Sequence, residues 1–591
     1  MGVAGIVAVG AAALLFAAED ESRPTEAKQP APWARAVSSF VKVRPGDSPG
    51  GSARARVSLA RGECEGIQIF AEPPARKVDA KVRPLRGPEA KLVPRLYREA
   101  FIRVVTPSNA EGRNGLWPDP LIPVQDAWAG ERRNALPWDS TASAPLVLYV
   151  ELCAPGDLPP GTYTGALELT AEDRPIAQVQ LEAQVQLFQI PATSSLPNTF
   201  GTSIFSIAQG HGIDAMKPEG RELLQLYALS ALAHRFSLHG MSIDPPPATW
   251  RDGKLEVDFS AYDEEMALLL EGTALPSGAR FTTAEIRKNP SLKTSEQREA
   301  YIRAYREHFA EKGWNDVRLF YYAKDEPKLE DRPLVQRESR EARAAGVPVL
   351  VTAPLDEVFT PAADIVTPTL NCFYAKSGPK TCGVITAPKA LRRAAGKDKE
   401  IWWYQACPSH GCDSGPFEDR KVERAFSGWA SYMVDHPVTL NRAMGVLDWL
   451  ADVDGELYYA TVYAYNFRDP WTEGVWDFGG NGDGTLFYPG TPDHIGGRTH
   501  VPVESLRLKH LRDGLEDFEY LHLLEKLGDG EFARKQAGKL ARSGYEITRA
   551  PETWEQVRGR LTSRLTELWQ RSEYRGPPPV GPGERSRKEP R

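Results

Sequence analysis

Beyond Ala18 the sequence has no apolar run approaching the ~20 residues that cross a bilayer, so no internal membrane span is expected. A basic excess is missing too: 72 Lys and Arg stand against 79 Asp and Glu, a net charge of −7. No basic stripe interleaved with aromatics is present, and nucleic acid is therefore an unexpected partner. Paired CxxC motifs are absent, which argues against a structural zinc centre. Neither a phosphate-cradling glycine loop nor a Ser-His-Asp arrangement can be assembled, and His211, His239 and His410 stand isolated. No internal repeat is found. Neither cofactor nor metal is expected.

What remains describes a globular chain of several structural units, with 41% hydrophobic and 26% charged residues over 591 positions. Residues 3–18, VAGIVAVGAAALLFAA, form one apolar stretch followed by the polar EDESRPTEAKQP. Residues 1–18 read as an export signal, and an uncleaved anchor is the alternative because no Lys or Arg precedes the run. The expected location is periplasmic, extracellular or at the cell surface. Cys64, Cys153, Cys372, Cys382, Cys407 and Cys412 suit an oxidising compartment. The four between Cys372 and Cys412 allow three pairings. Cys407, His410 and Cys412 of CPSHGC form a less favoured zinc set.

Residues 19–36 are polar and read as a linker. From 37 to 196 short β-type runs alternate with Gly and Pro; ALELTA and QVQLEAQVQLF have one apolar and one wet face, the pattern of a β-sandwich. From 197 to 550 strands alternate with helices, with about eight strands, the rhythm of a (β/α)8 TIM-type barrel. In the helix around LRLKHLRDGLEDFEYLHLL, Leu508, Leu511, Leu515, Phe518, Leu521 and Leu524 recur at helical spacing, and Asp513, Glu516, Asp517 and Glu519 are expected on its solvated side. A C-terminal helix is predicted over 551–575, then a disordered tail, 576–591.

In such a barrel, reacting groups sit where strands end. YYAKDEP, 321–327, closes the fourth or fifth strand and sets Asp325 beside Glu326. Asp could cap a helix with Pro327 in its first turn. The other reading is catalytic, since neighbouring carboxylates couple their protonation and can hold one acid protonated beside a charged partner. Ordinary two-carboxylate glycosidases hold their acids across a gap. An adjacent pair suits instead a route in which the substrate's 2-acetamido oxygen attacks the anomeric carbon. Glu326 would then protonate the leaving oxygen, and Asp325 would orient the acetamido group.

YYAKDEP, RAMGVLDWLADVDGELYYATVYAYNFRDPW, NGDGTLFYPG and ESLRLKHLRDGLEDFEYLHLL together resemble the catalytic region of glycoside hydrolase family 123 and of the group called domain of unknown function 4091. GECEGIQIF, LWPDPLIP and PPGTYTGALELT resemble the sandwich that precedes that barrel. The resemblance implies a β-N-acetylgalactosaminidase-like hydrolase acting through the acetamido group of a carbohydrate substrate, with the family's Asp-Glu pair at Asp325 and Glu326. The loops CFYAKSGPKTC and CPSHGC depart from the family pattern.

Aromatic side chains that could stack on sugar are Tyr322, Trp402, Trp403, Tyr404, Tyr463, Tyr465, Trp471 and Trp476. Of these, Tyr322, Trp403, Tyr463, Tyr465, Trp471 and Trp476 are taken as substrate-binding, with Asn466 as a hydroxyl partner. Asp469 and Asp477 are loop carboxylates that could serve a conventional two-acid mechanism, and a binding protein built on an inactive barrel is the non-enzymatic alternative. Asp477, Asn481 and Asp483 in WDFGGNGDG lack the spacing of a calcium loop and read as a series of turns.

Overall fold

The computed structural model describes residues 33–571, apart from 242–243, 355, 375, 378–387, 397 and 413–419. The export signal, most of the linker and the C-terminal tail therefore lie outside the described residues, as does Cys382.

The N-terminal region is built from two sheets. One has five strands in the order Ala34–Ser38, Cys64–Ala71, Leu146–Cys153, Pro94–Val104, Gly115–Pro123. Its first strand begins inside the stretch read as a linker. The main path of the other runs Arg54–Arg61, Arg174–Gln189, Gly161–Ala171, Ala75–Val82, Trp138–Ser140. The hairpin 161–189 turns on Glu172 and Asp173, at φ +47° and +64°, the left-handed pair that matches strand twist in a two-residue loop. Alternation then places Tyr163, Leu167 and Leu169 with Val179, Leu181, Ala183 and Val185 in one core, together with Ile67, Ile69, Leu148 and Val150 from the other sheet. Cys64 and Cys153 face each other across adjacent strands and are bridged.

Eight parallel strands follow: Asn198–Gly201, Leu238–His239, Thr283–Glu285, Arg318–Lys324, Val349–Val351, Ile365–Val366, Glu400–Tyr404 and Gly455–Tyr458. Each pairs with the next in chain order except the second and third, and the first pairs with the eighth. The result is a nearly closed barrel whose one seam lies between Leu238–His239 and Thr283–Glu285. Phe320, Leu350, Ile365, Trp402, Tyr404 and Leu457 form a single internal cluster, with Tyr322 packed on it. This is the lumen, filled by every second residue of the strands. Their neighbours Tyr321, Val349, Val351, Val366, Ile401, Trp403 and Tyr458 belong to the larger core under the helices.

One helix departs from the sequence expectation. Leu506–Lys526 is capped by Ser505, whose hydroxyl accepts from Leu508 N–H at 3.0 Å. Its leucines do pack into the core, but Asp513, Glu516, Asp517 and Glu519 are buried rather than solvated. The N-terminal sheets and the helix Pro551–Arg571 pack on that helix, and the acids find partners on Pro551–Arg571, on their own helix and in the barrel region. Asp517 accepts from Arg442 Nε at 2.6 Å and from Arg558 at 2.8 Å. Arg512 reaches Asp513 at 2.8 Å and also pairs with Glu151 of the five-stranded sheet. Arg235 meets Glu516 at 3.3 Å, and Glu519 accepts from both N–H and hydroxyl of Ser195. Charged groups tolerate such burial when each is paired and hydrogen-bonded.

Candidate active site

The fourth barrel strand ends at Lys324 and delivers Asp325 and Glu326 to the barrel mouth. The next α-helix starts only at Arg332, with proline in its first turn. Asp325 is therefore not the cap of a helix starting at Pro327. Its Oδ1 accepts from Tyr322 Oη at 2.8 Å and from Thr352 Oγ1 at 2.8 Å. Thr352 follows the fifth strand and also receives the Glu326 N–H at 2.8 Å. That bond anchors an unusual backbone: Glu326 sits at φ +38°, a conformation costing a non-glycine residue about 1–2 kcal/mol. The turn directs the two consecutive side chains to different partners. The Glu326 Oε1 accepts from Tyr404 Oη, at the end of the seventh strand, at 2.7 Å.

Both phenols are held as donors. Burial, then the charge of Asp325, pushes Tyr322 well above the usual phenol range. Burial and Glu326 do the same to Tyr404. Each tyrosine thus keeps its proton at neutral pH, while both carboxylates remain open to solvent. A hydrogen bond to a carboxylate is worth roughly twice a neutral one, so the pair is fixed in place while remaining accessible.

Two further groups complete the mouth. His239, at the end of the second strand, lies edge-on to Tyr322 with centroids 6.2 Å apart, and its Nδ1 is 3.0 Å from Thr199 Oγ1. Burial pushes it down to about 4, against the opposing pull of Asp325, so it is neutral at pH 7. Glu285 ends the third strand; burial raises it, and it accepts from the Gly240 N–H across the barrel seam. Sequence reasoning left His239 isolated and passed over Glu285 and Thr352. All three occupy the end of a barrel strand or the position just after it, which is the signal that could have found them.

The expected sugar-contact residues divide. Tyr322 stands beside the Asp325–Glu326 pair, donating to Asp325. Trp403 is placed elsewhere: it points to the outer layer, where its Nε1–H donates to Asp448 at 2.5 Å and its ring packs on Phe373. Strand alternation gives the lumen to its neighbours, Trp402 and Tyr404, instead. Tyr465 is buried among helices with its hydroxyl 3.1 Å from that of Tyr227. Asn466 is a strut, accepting from Ser206 at 2.7 Å and donating to the Tyr463 carbonyl at 2.9 Å. Trp471 packs on the N-terminal core, donates to the Pro489 carbonyl at 2.9 Å and stacks on His494. Tyr463 and Trp476 line an open cavity of about 340 Å³ with Phe467, Arg468, Asp477 and Phe478. Asp469 accepts from Trp471 N–H and Thr472 within its own turn, and Asp477 pairs with Arg468.

The CPSHGC loop is closed by a Cys407–Cys412 disulfide, which removes both thiolates from the zinc set. Asn481 bridges to the N-terminal region through Thr106 and Ser108, and Asp483 accepts from Tyr458 at 2.9 Å. Those contacts fit the turn reading of WDFGGNGDG. Among the described residues no helix is long and apolar enough to cross a membrane.

A nearly closed parallel barrel with two consecutive carboxylates at its mouth, each held by a phenol, sets acid groups where barrel enzymes carry out their chemistry. Comparison with known proteins gives the particular kind. Residues 288–524 match the family model of the glycoside hydrolase 123 catalytic domain, with Asp325 and Glu326 inside the matched stretch. In fold the chain is similar to a family 123 glycoside hydrolase from Clostridium perfringens, described in connection with glycolipid glycan hydrolysis. The two are 13% identical with a TM-score of 0.61, over 91% of this chain and 98% of that one. A family 39 glycoside hydrolase from Bacteroides cellulosilyticus WH2 shares 12% identity at a TM-score of 0.29, over 74% of this chain and 82% of its own. No curated protein matches the sequence significantly.

Proposed function

We propose that this glycosidase cleaves glycosides of 2-acetamido sugars, as a β-N-acetylgalactosaminidase-like enzyme, by substrate-assisted catalysis. The reading takes the whole chain as a β-sandwich followed by a (β/α)8 TIM-type barrel. The observation that carries it is the divided anchoring of the pair: Asp325 is held by Tyr322 and Thr352, and Glu326 by Tyr404. Two adjacent acids with separate partners suit two separate tasks.

In the first step the acetamido oxygen of the substrate attacks the anomeric carbon, and the bond to the leaving oxygen breaks. Glu326 gives its proton to that oxygen as it departs. Asp325 accepts the acetamido N–H, orients the amide and balances the positive charge that spreads onto it. In the second step water adds to the anomeric carbon and returns a proton to Glu326, which restores the acetamido group. No protein nucleophile is used; Asp469 is held by Trp471 N–H, Thr472 and His494, and Asp477 is paired with Arg468.

Export accords with the apolar N-terminal run and with the bridged cysteines Cys64, Cys153, Cys407 and Cys412. Glu326→Gln tests the assignment of the acid: turnover of an aryl N-acetylgalactosaminide should fall by about 10³-fold or more, with binding of the glycoside retained. Turnover within about tenfold of the wild type would remove Glu326 from the mechanism.

A further inference from the structure

The fourth and fifth barrel strands do not run in continuous register. Tyr321 lies opposite Val349 and Tyr322 opposite Leu350, but Val351 is met by Lys324, so Ala323 is an extra residue in the fourth strand. Such a bulge bends its strand and re-aims the side chains beyond it. In an unbroken ladder Lys324 would stand level with Thr352. The bulge brings Asp325 there instead, and its carboxylate accepts from the Thr352 hydroxyl at 2.8 Å. The same slip lets the Glu326 N–H reach that hydroxyl, also at 2.8 Å. The geometry of the two acids is therefore set upstream of them, at Ala323.

A bulged residue drops out of the ladder, and its backbone groups need other partners. On the opposite edge of the fourth strand, pairing with the third reaches only as far as Phe320, whose carbonyl accepts from Ile286 N–H at 2.9 Å. Beyond that point a side chain supplies the contact: Lys288 Nζ donates to the Ala323 carbonyl at 2.6 Å. The ammonium is itself held on two sides. Glu338, buried on the helix Arg332–Ala344, accepts from it at 2.8 Å. The Tyr321 ring lies beneath it, with its centroid 5.2 Å from Nζ. A charged donor binds a carbonyl more strongly than a neutral one.

We infer that Lys288 is a positioning residue for the reaction: held by Glu338, it pins the bulge at Ala323 and so keeps Asp325 and Glu326 in register with Thr352. The inference rests on the reading of Asp325 and Glu326 as the catalytic pair. Lysine suits the task, because its long stem spans the gap left by the third strand and its terminal group can donate to the carbonyl and the carboxylate at once.

The test uses two variants. Lys288→Met keeps the stem over Tyr321 and removes the donor; Lys288→Met, Glu338→Gln also removes the carboxylate that the first change leaves buried without its cation. On an aryl β-N-acetylgalactosaminide, kcat should fall about tenfold in both while KM stays within about twofold, because a displaced acid is felt in the transition state rather than in binding. Melting temperature should fall in the single variant and recover in the double. Amide hydrogen exchange at Glu326, whose N–H is bonded to Thr352, should quicken about tenfold in the double variant, a readout independent of turnover. Recovery of kcat together with melting temperature in the double variant would overturn the proposal, since the loss would then be one of stability alone. Unchanged exchange at Glu326 would overturn it too. Should Glu326→Gln keep turnover within about tenfold of the wild type, the assignment of the acid fails instead, and the exchange rate alone decides whether Lys288 holds the register.

Discussion

Tyr404 Oη donates to Glu326 Oε1 at 2.7 Å, linking the end of the seventh barrel strand to the residue that follows the fourth. The contact spans the mouth of the barrel. It fixes a side chain whose own backbone is held in the left-handed region.

Tyr404→Phe keeps the ring in the lumen and removes only the donor. We expect kcat to fall several-fold, up to about tenfold, with little change in melting temperature, because the phenol's hydrogen bond that aims the acid, worth about 0.5–1.5 kcal/mol, is lost. Kinetics alongside thermal denaturation separate the two effects. An unchanged kcat would show that the phenol does not position the acid.

The interface between the N-terminal sheets and the barrel depends on Asp517, which pairs with both Arg442 and Arg558. Asp517→Ala leaves two buried guanidinium groups short of a partner. A loss of about 3–5 kcal/mol is expected, read by chemical denaturation. Arg558 also contacts Glu63 and Glu65, so the Arg558→Met, Asp517→Asn double variant leaves those acids short of a cation as well, and its loss should be larger than that of Asp517→Ala.

Glu99 lies in the strand Pro94–Val104, and its two carboxyl oxygens have no hydrogen-bond partner among the described residues. Burial, reinforced by Asp119, pushes it up to about 8 from an ordinary 4.5. The folded state therefore binds a proton that the unfolded state releases. Its contribution to stability is full below pH 4.5 and is lost as pH rises through about 8. Glu99→Gln removes this dependence, so the stability of the variant relative to wild type should grow from about pH 4.5 to about 8 and then level off. A difference independent of pH would contradict the buried, protonated state.

Much of this arrangement was legible in the sequence where the chemistry is local. Alternation in QVQLEAQVQLF marked a sheet with a buried face, and the alternating strands and helices marked a parallel barrel. The position of Asp325-Glu326 at a strand end was also readable from its neighbours. What escaped was set by contacts distant in the chain. The acids of Leu506–Lys526 have the spacing of a solvated face, and only the docking of Glu63, Glu65 and Glu151 with Arg442 and Arg558 around them makes that face an interior. Trp402, Trp403 and Tyr404 are equivalent as aromatics; which of them enters the lumen depends on register with the flanking strands, which no single segment encodes. His239 and Glu285 meet the site only because the second and third strands end on its rim.

The central claim is that the 2-acetamido group of the substrate does the work of a nucleophile beside Asp325. The most direct test is the wild-type rate on an aryl N-acetyl-β-galactosaminide against that on the aryl β-galactoside with the same leaving group. Cleavage of the acetamido compound alone is the predicted result. Comparable cleavage of the plain galactoside would contradict it.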